Sequence, residues 1–202
     1  MENIEDLPAL IDRVEAVRRR LYELSAGRYP DDRHTTAVLA YLDVTLEHHE
    51  AICRLMGLKL FGSACALGRP VVDALFRALW VNGCATDEQV DAVAERDDFD
   101  WPKDMMAQVD ERYSAQDRFF STIKKGCWGA LCSYAHSGLR QLAKRFSGRR
   151  VGPRYSMTDL KEVLDTATAS IILLARLLLV CTGRVTEAEE TEEMMVAYGE
   201  AG

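Results

Sequence analysis

The chain is expected to be all-α, a bundle of five to seven helices, and three observations carry that expectation. Apolar residues recur at three-and-four spacing along most of its 202 residues. No run alternates with the period of two that marks a half-buried strand. Helix-start signals, Thr86-x-x-Gln89 and Ser156 with Asp159, stand where periodic segments begin.

Residues 4–26 place Ile4, Leu7, Ile11, Val14, Val17 and Leu21 on one helical face, which ends near Gly27. Arg28 to Asp32 form a turn with acidic N-cap candidates. A second helix over 34–58 carries the stripe Val38, Tyr41, Leu42, Thr45, Ile52, Leu55 and Met56. A third over 60–82 is apolar on nearly every side, as a central helix should be, and Gly83 closes it. A short helix over 86–96 follows, then a polar turn from Asp97 to Pro102 and weakly patterned helix to about Lys125. Trp128, Leu131, Cys132, Ala135, Leu139, Leu142 and Phe146 predict one further helix that runs through Gly129 and Gly138. Ser147 to Pro153 is a basic, glycine-containing loop, and a last long helix runs from Ser156 to near Thr182. Residues 1–182 are expected to form one domain, and 183–202 an acidic, frayed tail.

A hydrophobic content of 48% and a charged content of 28% suit one well-filled core. The most apolar segment, Ile171 to Cys181, is interrupted by Arg176 and falls short of the roughly twenty residues a bilayer requires. It is therefore expected to be buried or to face a second copy in a homodimer, with no membrane partner. The N-terminus lacks a basic segment followed by an apolar run, so no signal peptide is expected. Six cysteines without a CxxC pair fit small core residues of a reducing, cytoplasmic protein.

The net charge of −7 conceals a polarity. Nine Lys or Arg and no Asp or Glu lie between Arg118 and Thr158, which leaves sixteen basic and thirty-two acidic residues elsewhere. The body should repel nucleic acid, while one surface could attract phosphate. Three polar groups stand where a core is expected. Arg69, Asp73 and Arg77 occupy successive i, i+4 positions of the third helix, so Asp73 could accept from both arginines, and Pro70 predicts a kink or restart beside Arg69. His48 and His49 flank the second helix's stripe; with no recurring Glu-x-x-His, no metal is expected, and the histidines are assigned to the Asp73 network. His136 falls at the edge of the Trp128–Phe146 stripe, with Arg140 and Lys144 further round, a position that suits a general base, a phosphate ligand or a hydrogen-bonded core residue. No Walker loop, dinucleotide fingerprint, G-x-S-x-G or HExxH is present, and no cofactor is expected.

The runs from Glu47 to Cys53, Gly62 to Val81 (with Arg69-Pro70 and Trp80), Ser133 to Gly138 and Val151 to Leu164 resemble an uncharacterised bacterial all-helical family. That family carries RP-x-x-E-A-x-x-R-G/A-x-W and SYTHTG motifs, and the likeness spans about residues 38–180. Asp73 stands where the pattern has Glu. More distantly the chain is similar to HEPN-like bundles, which are typically dimeric, often belong to toxin–antitoxin or anti-phage defence systems, and in active members cleave RNA. Their Arg four to six residues before a His is missing, since Gly129, Ala130 and Leu131 precede His136, so either the chain is catalytically silent or its arginine comes from another helix, with Arg69 the candidate. What the resemblance implies is a metal-independent ribonuclease or RNA-binding protein. His136 would be base or phosphate ligand, Arg69 and Arg140 would stabilise phosphate charge, and Asp73, Arg77 and Tyr134 would line the site. Lys144, Arg145, Arg149, Arg150 and Arg154 would position RNA. The alternative is a non-catalytic module that meets a partner protein and uses the Arg–Asp–His group as a buried strut. An enzyme acting on a small anion in the bundle core is a third expectation.

Overall fold

A computed structural model describes residues 6–113, 118–147 and 149–200. Among them the chain is an all-α bundle, with α1 Leu7–Leu24, α2 Arg33–Gly57, α3 Phe61–Gly83, α4 Asp87–Glu95, α5 Met105–Tyr113, α6 Phe119–Ala135, α7 Leu139–Ala143, α8 Met157–Cys181 and α9 Val185–Glu200. A small antiparallel hairpin, β1 Phe146–Ser147 and β2 Arg150–Val151, replaces the expected loop. Helix boundaries follow local chemistry. Asp32 caps α2 by accepting from Thr35 N at 2.9 Å. Thr86 with Gln89, and Ser156 with Asp159, form full capping boxes on α4 and α8.

The α3 and α8 helices are the centre of the bundle. Helices α2, α5, α6 and α8 pack on α3, while α1, α2, α3 and α9 pack on α8. Val72, Phe76, Trp80, Ile171, Leu174 and Leu178 are buried in one cluster, which explains why both helices read as apolar on most sides. The α8 helix is long and apolar enough to cross a membrane, but about two thirds of its most apolar stretch is buried within the bundle. The α3 helix runs without interruption through Pro70, so the expected restart does not occur. Contact with α6 is close: a Cβ on Gly68 would stand 3.1 Å from Leu131 Cδ2.

Three expectations need correction. The turn 97–102 is not wholly polar in its contacts, because Phe99 packs tilted and Trp101 edge-on against Trp80, with ring centroids 6.0 and 5.6 Å away. The predicted helix to Lys125 is two helices, α5 and the start of α6; the residues between them, 114–117, lie outside the described set. Asp110 of α5 caps α6 by accepting from Phe120 N at 2.7 Å. The third correction is the acidic tail. Residues 185–200 form α9, which buries Ala188 and Thr191. Arg20 pairs with Glu190 at 2.5 Å, Arg176 with Glu192 at 2.7 Å, and Tyr198 donates to Asp165 at 2.6 Å. Arg176 also donates to Ala188 O at 2.8 Å, so its partner comes from its own chain and not from across a dimer face.

Candidate functional site

The i, i+4 row on α3 splits between two neighbours. Asp73 pairs with Arg77 at 2.8 Å, and the Arg77 guanidinium lies 4.6 Å over the Trp101 ring. Tyr41 of α2 stands beside this pair; burial pushes its phenol up, with Arg77 acting the other way. Arg69 turns instead towards α6. Its guanidinium is 4.8 Å over Trp128, and its Nη1 is hydrogen-bonded to His136 Nε2. The expected arrangement, in which Asp73 accepts from both arginines, gives way because Trp128 and His136 draw Arg69 off. Lys124, one turn before Trp128, lies 4.8 Å from the same ring and 5.8 Å from Phe76. Arg69 and Lys124 are thus cations held by aromatic faces, and among the described residues no carboxylate lies at ion-pair distance from either.

His136 reaches this place because α6 stops there. It is the C-cap of α6, its N–H donating to Cys132 O at 3.0 Å, and Ser137 follows in the left-handed region at φ 53°. Gly138 N then donates to Ser133 O at 2.6 Å, and Arg140 N to Ser133 Oγ at 2.9 Å. A Cβ at Gly138 would meet Ser133 Oγ at 2.7 Å and its Cα and O at 3.1 Å, so the turn closes only around glycine. The predicted continuous helix over 128–146 is therefore wrong, and His136 is exposed at a corner. A guanidinium can only donate, so in this hydrogen bond His136 Nε2 is the acceptor. An anion that drew Arg69 to itself would release Nε2 next to the bound charge.

The remaining predicted residues do not gather here. Arg140 is exposed on the rim of a 440 Å³ cleft between α6 and α8, which Tyr134, Asp159 and Glu162 also line. Tyr134 is buried, and burial next to Cys65 and Asp159 pushes its phenol up to about 12. Lys144 is committed to Asp159 at 2.6 Å. Burial works to raise the Asp159 carboxyl, but hydrogen bonds from Lys144 and Ser156 outweigh it and hold the group below the usual range. The Arg145 guanidinium lies against Gly62, where the Tyr155 hydroxyl also approaches. Arg154 donates to Phe146 O at 3.2 Å, and Arg149 and Arg150 are exposed on the hairpin.

The histidine pair is also corrected. His49 does not join the Asp73 network; it is sealed between Thr168 Oγ1 at 3.0 Å and Cys53 Sγ at 3.8 Å. Burial, reinforced by Arg18, pushes its pKa down to about 4. All six cysteines are free, and among the described residues no cluster of three or more His, Cys, Asp or Glu could hold a metal. The roles of Trp128, Lys124 and Trp101 were missed from sequence. Trp128 matched a core stripe and Lys124 a run of cations, and only their spacing of four residues hinted at a joint face.

No curated protein and no solved structure matches this chain. One protein family does, across residues 42–201, which include all of α3, α6 and α7 and most of α2. The chain accordingly belongs to DUF6988, a family of unknown function.

Proposed function

We propose that this protein is an HEPN-like RNA-binding protein of a bacterial defence or toxin–antitoxin type system, and that Arg69 and His136 bind and cleave the phosphodiester. The observation that carries this is the hydrogen bond between Arg69 Nη1 and His136 Nε2, made at the surface by residues 67 positions apart. Guanidinium and imidazole side by side, with Lys124 beyond Trp128, form an anion-receptive corner on an acidic protein. Arg69 here stands in for the arginine that the HEPN motif places a few residues before its histidine.

In this scheme the scissile phosphate takes the Arg69 guanidinium and frees His136 Nε2. That nitrogen accepts the proton of the adjacent 2′-hydroxyl as its oxygen attacks phosphorus. The bond to the 5′ oxygen breaks, a 2′,3′-cyclic phosphate forms, and the leaving oxygen takes a proton from solvent. Arg69 and Lys124 stabilise the extra negative charge on phosphorus. No metal is needed, because the nucleophile belongs to the RNA.

The test is single-stranded RNA binding by fluorescence anisotropy, paired with analysis of the product ends. Binding should weaken steeply with salt. Arg69→Ala should lower affinity and rate together; His136→Ala should abolish cleavage and leave binding intact. Absence of RNA binding even at low salt would refute the proposal. A second reading, a non-catalytic interaction module, is favoured by the Asp73–Arg77–Trp101 half of the row, whose charges are already satisfied.

A further inference from the structure

One end of the bundle combines exposed aliphatic side chains with a surplus of exposed cations. The α2–α3 link, α7 and the hairpin adjoin there: Gln141 Nε2 donates to Gly62 O at 3.1 Å, Gly152 N to Arg145 O at 2.9 Å, and Arg154 N to Lys144 O at 2.8 Å. Leu139 is 82%, Val151 76% and Leu58 70% exposed, and Leu60, Leu142 and Phe146 are about half exposed. In the hairpin register Phe146 faces Val151, so the two share one face of the ribbon. Lys59, Arg140, Arg149, Arg150 and Arg154 are exposed among them. No Asp or Glu occurs from Leu58 to Val72 or from Arg118 to Thr158. The carboxylate that follows, Asp159, is occupied by Lys144 and Ser156, while Glu162 and Asp165 line the α6–α8 cleft on the Arg140 side. Asp6 lies further along, beside the first turn of α8.

Exposed leucines grouped with Val151 and Phe146 mark a contact surface, whose partner would remove them from water. The cations require that partner to be anionic. A second copy docked symmetrically would set Arg149, Arg150 and Arg154 against their own equivalents, and docking onto the acidic α9 of another copy would be heterologous and would not close. RNA satisfies the charge and could stack bases on Phe146 or an arginine, but it would leave Leu58, Leu60, Leu139, Leu142 and Val151 without a matching partner. An anionic lipid surface satisfies both demands, with apolar tips at the headgroup boundary and arginines among the headgroups.

We propose that the α7–hairpin end of this protein, Leu139 and Val151 with Arg149, Arg150 and Arg154, is a peripheral docking surface for anionic lipid membranes. It is independent of the Arg69–His136 proposal and stands or falls separately.

The experiment is co-sedimentation of the full chain with phosphatidylcholine vesicles, with and without phosphatidylserine. Binding should require phosphatidylserine and fade with salt. Arg149→Ala with Arg150→Ala should weaken it roughly 25-fold, at about five-fold per arginine. Leu139→Asp with Val151→Asp should abolish it; both pairs are exposed, and circular dichroism is the check that the variants fold. His136→Ala should bind vesicles as the parent does. No binding to phosphatidylserine vesicles overturns the proposal. It is equally overturned if the aspartate pair instead dissolves a dimer, or if the arginine pair lowers RNA affinity while vesicle binding is unchanged.

Discussion

Acid should unfold this protein in part through His49. The imidazole is sealed in the core between Thr168 and Cys53, with Arg18 nearby, so the neutral ring is the form that the fold accepts. Its pKa is held at about 4, against 6.5 in the unfolded chain. Between those values the unfolded chain binds a proton that the folded chain refuses, so stability falls as pH falls. Above 6.5 His49 contributes nothing to the slope; by pH 4 the difference amounts to roughly 3 kcal/mol. The perturbation is His49→Gln, which keeps a polar group of similar length and removes the titration. Urea unfolding followed by circular dichroism at several pH values from 7.5 to 4 gives two stability curves, to be compared by slope and not by level. The parent should lose about 3 kcal/mol more than the variant over that window. Carboxylates such as Asp159 titrate in both proteins and cancel in the comparison. Parallel curves would show that the imidazole accepts its proton in the folded state, and that its burial imposes no such penalty.

Two further outcomes follow from the corner and from the row on α3. Gly138→Ala should cost about 1–3 kcal/mol in urea unfolding, because the new Cβ would press on Ser133; a variant as stable as the parent would mean the turn has room. Asp73→Ala should fold and lose less than about 1 kcal/mol, since the Asp73 and Arg77 side chains retain 24% and 37% exposure; global unfolding of that variant would restore the buried-strut role.

Where an outcome depended on nearby residues, it was legible before folding was considered. Helix starts at Asp32, Thr86 and Ser156 come from side chains that reach a backbone N–H within three residues. Central burial of α3 and α8 follows from apolar side chains on nearly every face. Misreadings occurred where local evidence was balanced. Leu139, Leu142 and Phe146 continue the helical period from Trp128, yet they are exposed because the chain leaves the helix at Ser137. The α9 segment is too acidic to promise a stable helix by itself, and it forms against α8 with Arg20 and Arg176 balancing its glutamates.

By itself, then, the sequence determined the all-α class, most helix boundaries, the central pair and the polarity of charge, because these depend on side chains a few residues apart. It also named Arg69 as the arginine that another helix could bring to His136, but not what Arg69 would leave to reach it. Only the tertiary structure decided that Arg69 leaves Asp73 for His136 and Trp128, and that His49 is buried away from both. The reason is geometric: a side chain's partner is settled by which helix packs beside it. For Arg69 that choice depends on Leu131 of α6 packing closely against Gly68 and on the turn at Gly138, and α6 lies far from Arg69 along the chain.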